Sequence, residues 1–406
     1  MVDFQLDAET REILEAYRGF VEEVVLPREE EANFEDSDAV PEDLLAEVRQ
    51  QARKRGLWAP HMPQAWGGRG LDALALAHVH EELARSPIGP LAVNAMAPDE
   101  GNMHALLHFG TDEQQDRYLQ PLVDAEIRSC FAMTEPEAGA DPYQMQTRAE
   151  RDGDEWVING DKWFVTGADG ADVAVVVAVT DPDVHPKEGT TLFLADTDRP
   201  GFQVDRDVPA MGAWSPGGHC ELTLDDLRVP ADAVLGPVGR GYRVAQDRLA
   251  LGRTTHAMRW IGMAQRALDQ MASRALERES FGKQLAEHQS IQWMIADSVK
   301  ELYMSRNMVL RTAAEIEAGD DPSHEVSVLK VFAANAAQEI IDRAIQVHGA
   351  LGYSKDLMLE RFFRDARAGR IYDGPDEVHQ WSIAKNALDA VEDEGTTRSV
   401  TGGWTR

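Results

Sequence analysis

The sequence predicts an α+β chain in which a β domain stands between helical regions. Three observations predict it. Apolar residues recur at helical spacing from about residue 5 to 125, short apolar and alternating runs crowd the middle, and long amphipathic patterns fill the remainder. A length of 406 residues is too great for one ordinary core and suggests two or three domains. The expected division is an N-terminal α-helical domain over 1–126, a middle β-barrel or sandwich domain over 127–236, a C-terminal four-helix bundle over 237–393, and a flexible tail over 394–406.

The first helical rhythm runs from Glu9 to Val25, through Ile13, Leu14, Tyr17, Phe20, Val21, Val24 and Val25. Pro41 to Arg55 is a second amphipathic stretch. Pro60, Pro63 and the pair Gly67-Gly68 interrupt it, and Leu71 to Leu83 and Asn102 to Phe109 resume it. The character changes near Ile127. Trp156-Val157-Ile158 and Trp163-Phe164-Val165 flank Asn159-Gly160, which predicts a β-hairpin with its tight turn at that dipeptide. Ala174 to Val179 reads as a fully buried strand, and Thr190 to Ala195, Phe202 to Val208 and His219 to Leu227 as further strands. Helical patterns return at Val244 to Arg274, His288 to Ala318 and Glu325 to His348, with a last helix from Glu377 to about Ala390. The polar, Gly/Thr-rich residues from Glu394 on are expected to be disordered.

The composition excludes several function classes. The formal net charge is −31, and 8 of the 40 basic residues are lysine. A surface this acidic repels nucleic acid and anionic lipid. It suits a high-salt cytoplasm, where repulsion is screened within a few ångström, so a salt-loving source is expected. No apolar run is long enough to insert in a membrane, and the first residues resemble neither a signal nor a transit peptide. A soluble cytoplasmic protein is the expectation. Two cysteines, Cys130 and Cys220, argue against a disulfide framework or a cysteine metal cluster. His78 and His80 have no matching cluster, and ordinary helix histidines explain them better than a metal does. No pyridine-nucleotide fingerprint, P-loop or nucleophile elbow is present.

Four segments carry a more specific signal. They are Phe131-Ala132-Met133-Thr134-Glu135-Pro136-Glu137-Ala138-Gly139-Ala140-Asp141; Asn159-Gly160-Asp161-Lys162-Trp163-Phe164-Val165-Thr166-Gly167; Arg278-Glu279-Ser280-Phe281-Gly282-Lys283 with His288-Gln289; and Gln346-Val347-His348-Gly349-Ala350-Leu351-Gly352-Tyr353 with Tyr372-Asp373-Gly374-Pro375-Asp376-Glu377-Val378-His379. Together, in this order and spacing, they resemble the acyl-CoA dehydrogenase family over nearly the whole chain. The resemblance implies FAD, bound in the family where the β domain meets the C-terminal helices. It implies flavin contacts for Phe131, Met133, Thr134, Gly139 and Ala140, because reduced flavin becomes anionic and needs fixed donors around it. It implies that Phe164, Val165 and Thr166 cover one flavin face, with Phe164 standing where most members carry Trp; plain strand packing is the competing reading. It implies contact with the adenosine diphosphate of a neighbouring subunit's FAD for Arg278, Ser280, Phe281, His288 and Gln289. Gln346, Val347, His348, Gly349 and Ala350 would lie nearby. A guanidinium at Arg278 suits a pyrophosphate, although a solvated helix charge is the plainer alternative. A shared site would make the protein at least a homodimer, and the family is usually a homotetramer.

Desaturation of an acyl thioester needs a carboxylate for the α proton and a hydride acceptor at the β carbon. The family's usual base is a Glu followed by Gly and Thr. Here the resemblance puts Asp373 at that place as the catalytic residue, with Gly374, Pro375 and Glu377 beside the cofactor. Asp373 is one methylene shorter than Glu, and Pro375 lacks both the hydroxyl and the N–H. A turn-forming Asp before Gly is the alternative. Arg253 matches an arginine that lies beside the substrate and the base, where its charge favours the ionised carboxylate. The second carboxylate location used in some branches is Gly252 here. Ala140 occupies a usual Ser position, and Ala250 an Asp that helps hold coenzyme A. The segment Gly252 to Arg259 and the ending Asp373 to His379 resemble the branch with Asp as base: animal family members ten and eleven and their bacterial relatives, the animal ones acting on long, branched or 4-hydroxylated acyl-CoAs. The expected partners are an acyl-CoA substrate and an electron-transfer flavoprotein. An acyl-CoA oxidase, a flavin monooxygenase of the same fold and a non-catalytic acyl-CoA/FAD-binding scaffold are the competing readings. The sequence shows no long C-terminal extension of the oxidase kind, and a monooxygenase has little use for Asp373.

Overall fold

The computed structural model describes residues 7–35, 37–212 and 216–402; of residues 250 and 251 it describes only the backbone. The chain divides into two compact units, each assembled from separate stretches. One consists of Asp38–Leu71 and Leu91–Gly252, the other of Met1–Ser37, Asp72–Pro90 and Arg253–Arg406.

The first unit is built on a mixed eight-stranded sheet, with helices α2 (Glu42–Lys54) and α4 (Asp99–Phe109). Its strands are β1 (Ser129–Ala132), β2 (Arg148–Asp152), β3 (Glu155–Thr166), β4 (Val173–Val179), β5 (Thr190–Asp196), β6 (Phe202–Asp207), β7 (His219–Pro230) and β8 (Val234–Leu235). The order is β6-β7-β3-β2-β4-β5-β8, and β1 runs parallel to β4. Every residue of β4 is buried, because side chains alternate between two faces and both are covered. Val173, Val175, Val177 and Val179 pack with Met103, Leu106, Leu119 and Leu122. Ala174, Val176 and Ala178 pack with Ile158, Leu222, Leu224 and Leu227 from strands of the same sheet.

The hairpin expected at Asn159-Gly160 is not there. Glu155–Thr166 is one continuous strand, and the dipeptide is a bulge in its pairing with β7, where the register shifts between Ile158 and Gly160. Asn159 does not turn the chain. It exchanges two hydrogen bonds with Asp226 across the pair, its Nδ2 donating to Oδ1 at 3.1 Å and its Oδ1 accepting from the Asp226 N–H at 2.8 Å. Gly160 sits at φ +147, and a Cβ there would come within 2.7 Å of the Thr147 backbone. The glycine permits close approach of backbone, the second use of Gly in a strand. The true hairpin joins β2 and β3, where Asp152 faces Glu155 around Gly153-Asp154 with Gly153 at φ +61.

The second unit is helical. It holds α1 (Ala8–Phe20), α3 (Ala73–Leu83), α5 (Gly241–Glu277) from Arg253 on, α6 (Gln289–Ala318), α7 (Ser323–His348), α8 (Leu359–Ala368) and α9 (Asp376–Glu394). Its core draws Trp260, Met271, Leu302, Val309, Leu329, Ile340, Ile341 and Phe362 from α5 to α8. Trp260 is fully buried, and a Cβ on Gly369 would lie 2.6 Å from its ring, so that glycine lets the chain after α8 close over the indole. The bundle is also clasped by arginines: Arg306 to Glu81 at 2.5 Å, Arg343 to Glu301 at 2.5 Å and Arg266 to Glu29 at 2.7 Å. The tail is not free as far as it is described. His324 Nε2 lies 2.8 Å from the Val400 carbonyl, and Thr401 N–H bonds back to Thr397 at 3.1 Å. Residues 403–406, part of the expected flexible tail, lie outside the described residues. Among the described residues no helix is long and apolar enough to cross a membrane, and no group of three or more His, Cys, Asp and Glu could hold a metal ion.

Candidate active site

In the β unit the first two motif segments are locked together through a buried lysine. Lys162 is wholly buried, and its Nζ donates to the Met133 carbonyl at 3.0 Å and to Glu135 Oε1 at 2.9 Å. The other Glu135 contacts are the N–H groups of Gln146 at 2.6 Å and Thr147 at 3.0 Å. The Trp163 N–H donates to the Thr134 carbonyl at 2.9 Å. Burial opposes the Glu135 charge, but Lys162 and the two amides hold the carboxyl below its usual range. Burial pulls Lys162 down to about 8 despite Glu135.

Around this clasp the predicted flavin residues are displayed. A second register shift in β3, between Lys162 and Val165, places Phe164 at φ +51 and turns its ring outward. Phe164 is 43 % exposed, the conformation a bulge uses to re-aim a side chain. Its ring meets Trp163 edge-on at 4.7 Å. Val165 is buried and packs inward, so its side chain supports the strand and not a ligand. Thr166 Oγ1 lies 3.0 Å from His219 Nδ1. Phe131 is sandwiched from below by Arg248, whose Cζ is 3.9 Å from the ring centroid; Arg248 Nε in turn bonds Asn102 Oδ1 at 2.7 Å. Gly139 has open space where a Cβ would stand, and Ala140 is exposed. An outward aromatic face, threonine hydroxyls and an uncrowded glycine loop are the features a planar polar ring needs, so the residues fit a flavin.

In the helical unit the fourth segment forms a strained turn. Asp373 has φ +55 and Gly374 φ +98, so two successive residues are left-handed before Pro375 caps α9. Asp tolerates this region better than most residues, and Gly tolerates it freely. Three elements hold the turn by its backbone. Arg253 Nε on α5 donates to the Asp373 carbonyl at 2.9 Å, His379 Nε2 on α9 lies 3.2 Å from the same oxygen, and Lys330 Nζ on α7 donates to the Gly374 carbonyl. Arg253 therefore reaches the main chain of the turn. Lys330 is also wholly buried, and burial draws it down to about 8. Asp376 lies 3.8 Å from it and accepts from Asn335 at 2.8 Å and Arg370 at 3.1 Å. Burial, helped by Arg253, takes His379 down to about 4, so its ring is neutral.

With its main chain held, the Asp373 side chain is 19 % exposed, and Oδ2 lies 3.4 Å from His256 Nε2. His256 stands one turn along α5 from Arg253, a spacing that puts both on one helix face. No role is assigned to His256 in the sequence reading, although it lies inside a quoted segment; the spacing from Arg253 is the signal that could have found it. Pro375 and the exposed Glu377 begin α9 directly after the turn. The Ala250 side chain lies outside the described residues.

The remaining predicted residues gather elsewhere. Helices α6 and α7 are antiparallel neighbours, pinned by Arg343 to Glu301 and Ser298, which sets the last turn of α7 beside the start of α6. That end collects Gln346, Gly349 and Ala350, all exposed, with Gln289 and the β9–β10 hairpin (Glu279–Ser280, Lys283–Gln284). Arg278 is exposed, Phe281 at the hairpin tip is 96 % exposed at φ +54, and His288 Nε2 lies 3.2 Å from the Ser280 carbonyl. Val347 is buried, and His348 Nδ1 bonds the Ala344 carbonyl at 2.8 Å. Lys330 and His348 are separated by roughly 27 Å of helix, so this cluster is distinct from the Asp373 turn.

The chain matches the family models described as the acyl-CoA dehydrogenase N-terminal domain over residues 7–126, middle domain over 130–227 and C-terminal domain over 239–388. It is 38% identical over 401 residues to a Mycobacterium tuberculosis protein named "Probable acyl-CoA dehydrogenase FadE2", covering 95% of this chain and 97% of that one. It is 36% identical over 397 residues to acyl-CoA dehydrogenase family member 10 of Mus musculus, covering 94% of this chain but 37% of the relative. Among solved structures, butyryl-CoA dehydrogenase from Megasphaera elsdenii superposes with a TM-score of 0.85 at 28% identity, over 95% of this chain and all of that one. A Mycobacterium smegmatis glutaryl-CoA dehydrogenase in complex with FADH2 superposes with a TM-score of 0.82 at 27% identity, over 94% of each chain. Domain models along most of its length, and a relative matched nearly end to end, establish that the chain belongs to the acyl-CoA dehydrogenase family, whose members are FAD-dependent oxidoreductases.

Proposed function

We propose that the protein is a cytoplasmic FAD-dependent dehydrogenase that introduces the α,β double bond into an acyl-CoA thioester, with Asp373 as the base. The observation that carries this is a partly exposed carboxylate on a left-handed turn whose backbone is gripped from three helices. Backbone strain of this kind persists only where the surroundings impose it, and it fixes a side chain that function needs in one place. Bound FAD supplies a hydride acceptor. Asp373 takes the α proton, and Arg253 and Lys330, by holding the carbonyls of residues 373 and 374, keep the carboxylate at one height above the turn. Thr134, Phe164 and Thr166 are assigned to the flavin. Arg278, Gln289 and the Gln346–Ala350 turn are assigned to the adenosine end of a neighbouring subunit's FAD, which makes the active form a homodimer or homotetramer. An electron-transfer flavoprotein is the proposed acceptor, and a long or substituted acyl chain the proposed substrate, by analogy with the Asp-bearing branch.

The test is an anaerobic titration of FAD-loaded protein with acyl-CoAs of several lengths, followed by visible absorbance. Bleaching by one of them supports the reading, and a flavin spectrum unmoved by every thioester refutes it. Asp373→Asn should keep the flavin spectrum and slow bleaching by at least 10²-fold, the lower end of what a positioned base contributes. The charge of −31 and the scarcity of lysine support a halophilic source. Its unfolding midpoint should then rise with potassium chloride concentration, and a flat response would count against that source.

A further inference from the structure

We infer that His256 is a positioning residue for Asp373: a neutral imidazole whose Nε2–H is aimed at the carboxylate oxygen Oδ2 and fixes the plane of the carboxylate. The inference rests on the reading of Asp373 as the base.

The tautomer follows from the other ring nitrogen. Arg259 Nη2 lies 3.0 Å from His256 Nδ1. A guanidinium can only donate, so Nδ1 must present its lone pair. The Tyr372 hydroxyl lies 3.5 Å from the same nitrogen and already accepts from Trp260 Nε1 at 3.0 Å. Its own proton is therefore free to point at Nδ1 as well. A neutral ring must then carry its proton on Nε2, the nitrogen 3.4 Å from Asp373 Oδ2. That distance is at the outer edge of hydrogen-bond reach, and contacts of this kind shorten when substrate closes the site.

The ring cannot easily turn away. It stacks on Trp260 with centroids 6.2 Å apart and 17° between planes, and meets Tyr372 at 4.7 Å. Nor is it well placed to become an imidazolium, since a second proton on Nδ1 would face the Arg259 guanidinium. The charged and titratable groups around the pair are Arg253 and Arg259 from α5, Lys330 from α7, Asp365 from α8, and Asp376, Glu377 and His379 from α9, with Tyr372 beside them. Burial pushes the Tyr372 phenol up, so it stays protonated and remains a donor.

The consequence is specific to an aspartate. Its side chain has two torsions; the turn and helix contacts set the first, and a donor on Oδ2 sets the second. Oδ1 is left as the oxygen offered to the α proton.

The experiment is the pH dependence of the anaerobic flavin-bleaching rate, measured with the acyl-CoA that bleaches best, for the wild type, His256→Ala, His256→Gln and Asp373→Asn. His256→Ala should lower the plateau rate about tenfold while leaving the acyl-CoA concentration for half-maximal bleaching unchanged, because the carboxylate is misaligned and not lost. His256→Gln, whose amide can donate, should keep the plateau near that of the wild type. A wild-type plateau in His256→Ala, or a Gln variant slowed as far as the Ala variant, would overturn the inference while leaving Asp373 as the base. Asp373→Asn that bleaches like the wild type would instead remove the base itself. Should the Ala variant fail to fold, the nitrogen NMR shifts of His256 in the wild type, assigned by their loss in His256→Gln, decide the matter. A ring protonated on Nε2 and unprotonated on Nδ1 at neutral pH is expected, and the Nδ1–H tautomer or an imidazolium overturns it.

Discussion

Two lysines hold the two segments proposed to carry the chemistry, and they do so differently. Both Lys162 and Lys330 are wholly buried, and burial takes each to about 8. Lys162 meets a carboxylate directly, 2.9 Å from Glu135, and ties the Met133–Glu135 loop to the strand that displays Phe164. Lys330 meets a backbone carbonyl, that of Gly374, while its nearest carboxylate oxygen, Asp376 Oδ1, is 3.8 Å away; the donors Asn335 and Arg370 both reach the other oxygen, Oδ2. The first is an ion pair on which each partner depends. The second is a cation held mainly by a carbonyl, beside a carboxylate that keeps two donors on one oxygen when the cation is removed.

Replacement by methionine separates the two cases. Lys162→Met strands the Glu135 carboxylate in the interior and should cost about 3–5 kcal/mol in denaturant unfolding. Adding Glu135→Gln should recover much of that loss, because the uncompensated charge is gone. Lys330→Met leaves Asp376 with Asn335 and Arg370 on Oδ2, takes the nearest cation from Oδ1 and orphans the Gly374 carbonyl, so about 1–3 kcal/mol is expected. If Asp373 is the base, its kinetic effect should run the other way: slower bleaching by acyl-CoA with an unaltered flavin spectrum, since the Asp373 turn and not the Met133–Glu135 loop is loosened. Equal losses in the two single variants would mean that Asp376 depends on Lys330 as Glu135 does on Lys162.

Acid and alkali probe the same contrast. Below about pH 8 both lysines are charged in the folded and unfolded chains, and the cost of burying the ammonium is fully present. Between about 8 and 10.5 the unfolded chain holds protons that the folded chain has lost, so this contribution rises in favour of folding with pH. Two histidines act at the other end. His104, half-buried beside His108, and the buried His379 are both lowered to about 4 by desolvation. From pH 6.5 down to about 4 the unfolded chain binds protons at these rings and the folded chain does not. Stability should therefore fall on acidification, by about 1.4 kcal/mol per pH unit for each histidine. His379→Gln should remove one of these contributions, flattening the slope of unfolding free energy against pH by about half of what the two histidines supply together.

How far these features were legible depends on what kind of signal each leaves. Helices and strands with a face to bury were legible: β4 needs seven apolar residues because both its faces are covered, and that is visible in the letters. The Asn159-Gly160 dipeptide misled, because turn chemistry and bulge chemistry use the same residues. What decides between them is a partner far along the chain, Asp226. The clasp of Lys162 on Glu135 links residues 27 apart, within two segments already recognised as motifs, and only their pairing was hidden. Lysine scarcity offered a hint that went unused. In a chain with 8 lysines, two are wholly buried, where a compact ammonium can be enclosed and a forked guanidinium is bulkier. His256 left the faintest trace, one helical turn from Arg253.

The smallest expected change in stability belongs to Phe164. A phenylalanine at φ +51 carries backbone strain of roughly 1–2 kcal/mol, and glycine would not. Glycine loses about 0.5–1 kcal/mol in added freedom of the unfolded chain, and a ring that is 43 % exposed gives up about 1 kcal/mol of burial. The two effects nearly offset, so Phe164→Gly should shift the unfolding free energy by less than about 1 kcal/mol. If the outward ring serves the flavin, the same change should weaken FAD binding to the apoprotein several-fold, since an aromatic contact contributes about 0.5–1.5 kcal/mol. A loss of stability as large as that of Lys162→Met would make Phe164 part of the core. Unchanged FAD affinity with unchanged stability would leave the strain at residue 164 without a purpose, and with it the argument that the bulge exists to aim the ring.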